Sequence, residues 1–322
     1  MRYCFLISER KDIFSFFVLQ INLINNCNKM AHKAGFVNII GSPNVGKSTL
    51  MNVLVGERLS IITSKAQTTR HRIMGIVNGE DFQIVYSDTP GVLKPNYKLQ
   101  ESMMEFVHTA ITDADVMLFV TDIYEDEKID EKILNKIKNA KVPVLLLVNK
   151  IDLAKQDVLE NKVQYWKTEV PNAEVIPVSA LEKFNTNYIF DRILALLPEG
   201  PGYYGKDELT DKPEKFFISE IIREKILLNY KKEIPYSVEV VVESFKEEEK
   251  IIRIRAEILV VRDSQKGILI GHKGQALKKV GTEARKDMEI FLQKQVFLEL
   301  FVKVNKDWRD DGNQLKRFGY TN

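Results

Sequence analysis

Residues 36–54 read FVNIIGSPNVGKSTLMNVL: an apolar run, then Gly-x4-Gly-Lys-Ser, then a helical stretch with spaced apolar residues. Few folds accept that order. Gly41 and Gly46 allow a tight turn whose backbone N–H groups converge, and the turn opens onto a helix N-terminus, where an anionic group is favoured. The chain is thereby committed to a strand, a phosphate loop and a helix in succession. Lys47 carries the positive charge that reaches β and γ phosphates, and the Ser48 hydroxyl is a Mg2+ ligand. Ser42, Pro43, Asn44, Val45 and Thr49 fill the loop and the first helical turn. The alternative is an ordinary glycine-rich turn, which needs neither the lysine nor the full eight-residue pattern. The loop alone leaves ATP and GTP, and kinase and hydrolase, open.

The rest of the chain narrows the architecture. Between Gly35 and Leu197 the β-rich runs FVNII, FQIVYSD, VMLFVTD, VPVLLLVNK and AEVIPVSA alternate with amphipathic stretches such as EKILNKIKNA. Continuously apolar strands separated by helices predict a mostly parallel sheet with helices on both faces, an α/β P-loop domain over residues 30–197. Residues 198–213 (PEGPGYYGKDELTDKP) gather Pro, Gly and Asp without an apolar period and read as an interdomain linker. Over residues 214–322 the order becomes helix, two strands, two helices and a strand, an α+β module whose sheet is covered on one side.

Residues 1–29 are apolar, but Glu9, Arg10, Lys11 and Asp12 interrupt them. What remains is too short to span a bilayer and lacks a signal-peptide cleavage site. The stretch reads as an extension outside the fold, with a weak amphipathic anchor as the second reading. Both cysteines, Cys4 and Cys27, fall there. The later residues therefore offer no disulfide or thiolate metal site, which fits a reducing, cytoplasmic setting.

Further motifs choose among nucleotides. VYSDTPGV ends an apolar strand on Asp88, at the edge where open α/β sheets bind ligands. An acid there holds Mg2+ and the Gly91 N–H meets a γ phosphate, with Thr89, Pro90 and Val92 shaping the turn. A plain Asp-Pro-Gly turn is the alternative. LLLVNKID ends another strand, and the two oxygens of Asp152 match the N1–H and exocyclic amine of guanine, a pair that adenine does not offer. Asn149 braces this loop against the phosphate loop, and the Lys150 stem lies along the base. After VIPVSAL, the backbone at Ser179, Ala180 and Leu181 approaches the guanine oxygen.

In this order the motifs resemble the G domain of the translation-factor-related GTPases. GxPNxGKS, QTTRHR, DTPGV and NKID together resemble the subgroup that includes Era, EngA and MnmE. The resemblance implies a switch: Thr69, with Thr68 as the alternative, closes onto Mg2+ only when a γ phosphate is present, so GTP orders the loop and GDP releases it. Catalysis then rests on Lys47, Thr69, Asp88 and Gly91. Ras-like proteins place a glutamine after DxxG to orient water; Val92 stands there in this chain, which implies slow intrinsic hydrolysis. By the same resemblance Asn44 helps to hold K+, a turn-stabilising role being the equal alternative.

Lys+Arg 47 against Asp+Glu 45 leaves a net charge of +2, so affinity for nucleic acid has to come from a local patch. Residues 262–286 supply one: Arg262, Lys266, Lys273, Lys278, Lys279, Arg285 and Lys286 face only Asp263 and Glu283. At its centre Gly271-His272-Lys273-Gly274 sits between helical stretches, and with the element order it resembles a type II KH domain, a clamp for about four single-stranded nucleotides. Ile270, Gly271, His272, Lys273, Gly274, Lys278, Lys279 and Arg285 are the candidate RNA contacts. The two halves, with IGHKG, GTEARKDME and VFLELFVKVNKDW in the second, are similar to the Era family over nearly all of residues 30–322. That resemblance implies a monomeric GTPase that binds 16S rRNA near its 3′ end, assists 30S subunit assembly and contacts the inner face of the cell membrane reversibly. A P-loop kinase acting on a small molecule conflicts with the NKID loop. A passive RNA scaffold conflicts with the retention of Lys47, Ser48 and Asp88.

Overall fold

The computed structural model describes residues 31–124 and 130–320; residues 1–29, with Cys4 and Cys27, lie outside the described residues. The first unit is built on β1 (Lys33–Gly41), β2 (Ile73–Asn78), β3 (Phe82–Asp88), β4 (Val116–Asp122), β5 (Val144–Asn149) and β6 (Ala173–Pro177). Their order is β2-β3-β1-β4-β5-β6, antiparallel only at β2–β3. Helices α1 (Lys47–Val55), α2 (Lys98–Thr112), α3 (Glu131–Lys138), α4 (Gln156–Glu169) and α5 (Thr186–Leu196) cover it. Every residue of β4 and β5 is buried, which is why these strands are continuously apolar. On one face Val37, Ile39, Leu118 and Leu147 meet Leu50 and Met51 of α1 and Ile189 and Ile193 of α5. On the other, Ile40, Phe119 and Leu146 meet Met103, Ile133 and Trp166.

One feature departs from the sequence expectation. The strand β2 was not among the expected runs, because it is short, half-buried and interrupted by Gly75. That glycine is needed for packing: a Cβ there would lie 2.6 Å from Met51 Cε. The linker is strapped to the first unit. Ile76 N–H donates to Leu209 O (2.8 Å), Thr210 Oγ1 donates to Met74 O (2.7 Å), and Gln83 Oε1 accepts the Tyr203 and Tyr204 N–H groups (2.6 and 2.9 Å). A free edge strand exposes a row of unpaired backbone groups, and this segment pairs with part of it.

The second unit comprises α6 (Glu214–Asn229), β7 (Glu239–Glu247), β8 (Ile251–Val260), α7 (Asp263–Ile270), α8 (Gln275–Leu292), β9 (Gln295–Val304) and α9 (Gly312–Arg317). Its sheet runs β7-β8-β9, with β7 antiparallel and β9 parallel to β8. Ile218, Ile222 and Ile226 recur every four residues along α6, as do Val280, Ala284 and Met288 along α8. Both stripes pack on Ile252, Ile254, Ala256 and Ile258, the alternate residues of β8, so one face is covered as expected. After β9 the chain returns to the first unit: Trp308, Leu315 and Tyr320 are buried in the same cluster as Leu99 and Met103 of α2. Leu99 N–H donates to Arg309 O (2.9 Å), and the Arg309 guanidinium lies 4.7 Å from the Tyr97 ring centroid. Among the described residues no helix is long and apolar enough to cross a membrane.

Candidate functional site

The phosphate loop is fixed by one side chain. Asn149, at the end of β5, donates to Val45 O (2.8 Å) and accepts the Ala180 N–H (3.0 Å), tying three loops together. Gly46, with φ 96°, caps α1, and a Cβ there would lie 2.3 Å from Asn149 Nδ2. Only glycine meets both conditions. Gly91 packs as closely, since a Cβ on it would lie 2.7 Å from Pro43 Cα. The resulting cleft of about 280 Å³ is lined by Pro43, Asn44, Lys47, Ser48, Thr49, Gly91 and Lys150, together with residues 61–65 and 67–69. Buried Lys47 donates to Gly41 O (3.0 Å) and Ser42 O (2.8 Å), holding its charge at the loop centre.

Below the lysine, three oxygens converge. Ser48 Oγ lies 2.8 Å from Thr69 Oγ1 and donates to Asp88 Oδ2 at 2.7 Å, while Thr69 Oγ1 donates to the same oxygen at 3.2 Å. Thr68 is turned elsewhere, its hydroxyl donating to Lys65 O (2.6 Å), so the geometry brings Thr69 rather than its neighbour to Asp88. Asp88 is fully buried and its Oδ1 has no hydrogen-bond partner. Burial pushes this carboxyl up, against the pull of Lys47, Ser48 and Thr69. A buried carboxylate with an orphaned oxygen and two adjacent hydroxyls is a donor set suited to a hard cation such as Mg2+. Such an ion, when bound, neutralises charge that develops on transferring phosphates.

At the base side, exposed Asp152 accepts from Ser179 Oγ (2.5 Å). Lys150 bridges Asp122 Oδ2 and Asn44 O, both at 2.6 Å. Asn44 is exposed, with φ 65°, a conformation that asparagine tolerates better than most residues. Several expected contacts are placed differently. The Ala180 N–H is spent on Asn149 and the Ser179 N–H on Phe184 O (3.3 Å), because this loop closes on its own brace; Leu181 is exposed. Val92 turns its side chain into the cluster with Ile40 and Leu99, and its N–H donates to Gly41 O (3.1 Å). Thr89 and Pro90 are buried, and Thr89 Oγ1 donates to Ile39 O (2.7 Å).

The second candidate site is a groove of about 490 Å³ between α8 and the edge strand β9. Gly274, Lys278 and Arg285, three of the candidate RNA contacts, line it. Gly271 and Gly274 both have positive φ, and nothing lies within 4 Å of a Cβ placed on Gly274, so a nucleic-acid backbone has room to approach. His272 and Lys273 are exposed at the tip, Ile270 is half-buried, and Lys279 is drawn towards Glu283 (3.8 Å) outside the lining. Sequence reading missed the opposite wall, formed by Val296, Phe297, Leu298 and Leu300. A β-strand beside a GxxG helix carries no motif of its own.

Comparisons with known proteins match both units. The family model for 50S ribosome-binding GTPases matches residues 36–150, and that for KH domains matches residues 233–309. GTPase Era of Staphylococcus epidermidis is 45% identical over 291 residues, covering 90% of this chain and 97% of that protein. The chain belongs to the Era GTPase family. Era of Staphylococcus haemolyticus is equally similar, at 45% over the same length. A crystal structure of a variant Aquifex aeolicus Era bound to GDP·AlF4− superposes with a TM-score of 0.86 at 39% identity, covering 90% of this chain and all of that one. Era in complex with MgGDPNP and nucleotides 1506–1542 of 16S ribosomal RNA matches with a TM-score of 0.86 at 38% identity and the same coverage.

In this Era-family GTPase the segment around Thr69 is held by the KH unit on both sides. Arg223 of α6 donates to the carbonyl oxygens of Gln67 and Thr68. Fully buried Arg70 donates to Val238 O (2.7 Å) and Pro235 O (3.1 Å) and pairs with Glu239 at 3.4 Å. Tyr320 OH donates to the same Glu239 carboxylate (2.8 Å). Lys65 donates to the Leu227 and Tyr230 carbonyls, capping the C-terminal end of α6 with a cation where the helix dipole favours one. The QTTRHR run thus contains one residue that faces Asp88 and several that face the other domain.

His71 of this run stacks on Tyr320 (4.1 Å, 19°) and meets Phe216 edge-on (5.3 Å). Burial, reinforced by Arg223, Lys212 and Arg70, lowers its pKa from 6.5 to about 3. The native state therefore refuses a proton that the unfolded chain accepts below about 6.5, so stability is full above that pH and falls as pH drops, by at most ~1.4 kcal/mol per unit. The melting temperature should fall from pH 7 to pH 5, and less steeply in His71→Gln. An identical pH slope in that variant would contradict the assignment.

Proposed function

We propose that this GTPase binds single-stranded 16S rRNA near its 3′ end in the α8–β9 groove, assists 30S subunit assembly, and uses the loop around Thr69 to report its nucleotide state to the KH unit. One observation carries the coupling: Thr69 bonds to Asp88 in the nucleotide cleft while Thr68 and Arg70 bond to the second domain. A change at the γ phosphate that displaces Thr69 must strain or release those bonds. In the same reading Lys47 and the Gly91 N–H hold the phosphates, Ser48, Thr69 and Asp88 hold Mg2+, and Asp152 selects guanine. The groove contacts RNA through Gly271, His272, Lys273, Gly274, Lys278 and Arg285. Similarity to Era bound to 16S rRNA supports the choice of RNA.

Crosslinking the protein to RNA in cells and mapping the bound nucleotides tests the substrate. Crosslinks should concentrate at the 16S 3′ end, and a scatter over unrelated transcripts would contradict the proposal. The reading also includes a K+ ion beside exposed Asn44, supplying positive charge near the phosphates. GTP hydrolysis should then be faster in K+ than in Na+, and equal rates would remove the ion. Finally, the protein is placed in the cytoplasm as a monomer with reversible contact to the inner membrane face. Family resemblance supports this placement, and cell fractionation checks it.

A further inference from the structure

The KH sheet has a second face, turned away from α6 and α8. Alternation places Arg253, Arg255 and Glu257 of β8 there, beside Phe297, Glu299, Phe301 and Lys303 of β9. Phe297 and Phe301 are 44% and 42% exposed, an unusual use of large aromatic residues on an edge strand. Each carries an arginine. The Arg253 guanidinium lies 5.2 Å from the Phe297 ring centroid and that of Arg255 lies 4.5 Å from Phe301. Aromatic rings and guanidinium planes are the two protein surfaces on which unpaired bases stack.

Phe297 also lines the RNA groove, so groove and open face meet at one residue. Phe301 follows roughly 13 Å further along the strand, at 3.3 Å per residue, a distance on the scale of a few extended nucleotides. Beyond it lies a cavity of about 510 Å³ whose lining includes Lys303, Asn305, Gln314 and Arg317. Acids are present too: Glu257 pairs with Lys303 (3.3 Å), Glu248 with Arg253 (2.9 Å), and Glu299 is exposed. The face is therefore no phosphate sink, and what it offers is stacking.

We propose that this open face is a second contact for single-stranded RNA, continuing the groove from Phe297 onto Arg255 and Phe301. The proposal rests on the RNA reading of the groove, and the test separates the two. Affinities of the full-length protein are measured for a groove-length RNA of about four nucleotides and for one extended to about twelve. The longer RNA should bind about tenfold tighter or more, a gain that stacking supplies with little added salt dependence. Phe301→Ala and Arg255→Ala should each remove most of that gain while leaving the short RNA within about twofold of wild type, and Phe301→Tyr should restore it. Gly274→Asp should weaken both lengths.

Retention of the full gain in Phe301→Ala and Arg255→Ala would overturn the proposal. So would equal loss of both lengths, no gain in the wild type, or a face that captures a protein while RNA binding is untouched. Failure of the wild type to bind either RNA would overturn the groove reading first, and the extension with it.

Discussion

Asp152→Asn should exchange guanine for xanthine nucleotides. The carboxylate at this position is exposed just after β5, two residues beyond Lys150 of the cleft lining, and is braced by Ser179 Oγ at 2.5 Å. Asparagine replaces one acceptor with a donor, which faces the guanine N1–H or amine with the wrong polarity and suits the extra carbonyl of xanthine. Hydrogen bonds to a charged group contribute about 1.5–3 kcal/mol each, so losing one of the two should weaken GDP by at least roughly 10- to 10²-fold. Affinity for xanthosine diphosphate should rise correspondingly. Calorimetric titration with GDP, xanthosine diphosphate and ADP reads all three. Unchanged GDP affinity in the variant would remove Asp152 from base recognition, and tighter binding of ADP than GDP by the wild type would favour a kinase.

Arg70→Ala should uncouple the two domains. The side chain is fully buried, and its loss leaves the Glu239 carboxylate without its ion pair and two carbonyls without a donor. Burial already pushes Glu239 up, with Arg70 opposing that shift, so removing the arginine favours a protonated or exposed carboxyl. Breaking one partner of a buried pair costs about 3–5 kcal/mol. The cost falls on the interface, so calorimetry should show a lower first transition while the G domain still binds GDP. Arg70→Ala combined with Glu239→Gln should recover part of the loss. The milder Lys65→Met, which removes the cap on α6 from a residue that also lines the nucleotide cleft, should leave the fold intact and reduce the effect of nucleotide on RNA affinity. An unchanged melting profile in Arg70→Ala would show that the interface does not depend on this side chain.

The sequence was most legible where chemistry is compact. GSPNVGKS, DTPG and NKID each place their functional groups within a few residues, and their positions on strand ends follow from the apolar runs before them. The same holds for the GxxG turn and its basic helix. What stayed hidden depends on partners far apart in the chain. Arg70 reads as one more polar residue of a loop until it meets Val238 and Glu239, some 170 residues later, and Arg223 looks like the charged face of a helix until it reaches Thr68. Trp308, Leu315 and Tyr320 are too widely spaced to signal that the C-terminal segment returns to α2. Phe297 and Phe301 show a period that fits a covered strand equally well, and only the sheet order reveals that their face is open. Val92 directs its apolar side chain into the core while its N–H stays bonded to Gly41 of the phosphate loop.

The most direct measurement is the affinity of the full-length protein for a 16S 3′-end RNA in the presence of GDP and of a nonhydrolysable GTP analogue, with Mg2+ in both. If Thr69 links the γ phosphate to Arg70 and Arg223, the two affinities should differ by about 5- to 150-fold, the usual span of coupling between sites. Equal affinities, with both nucleotides bound, would contradict that link.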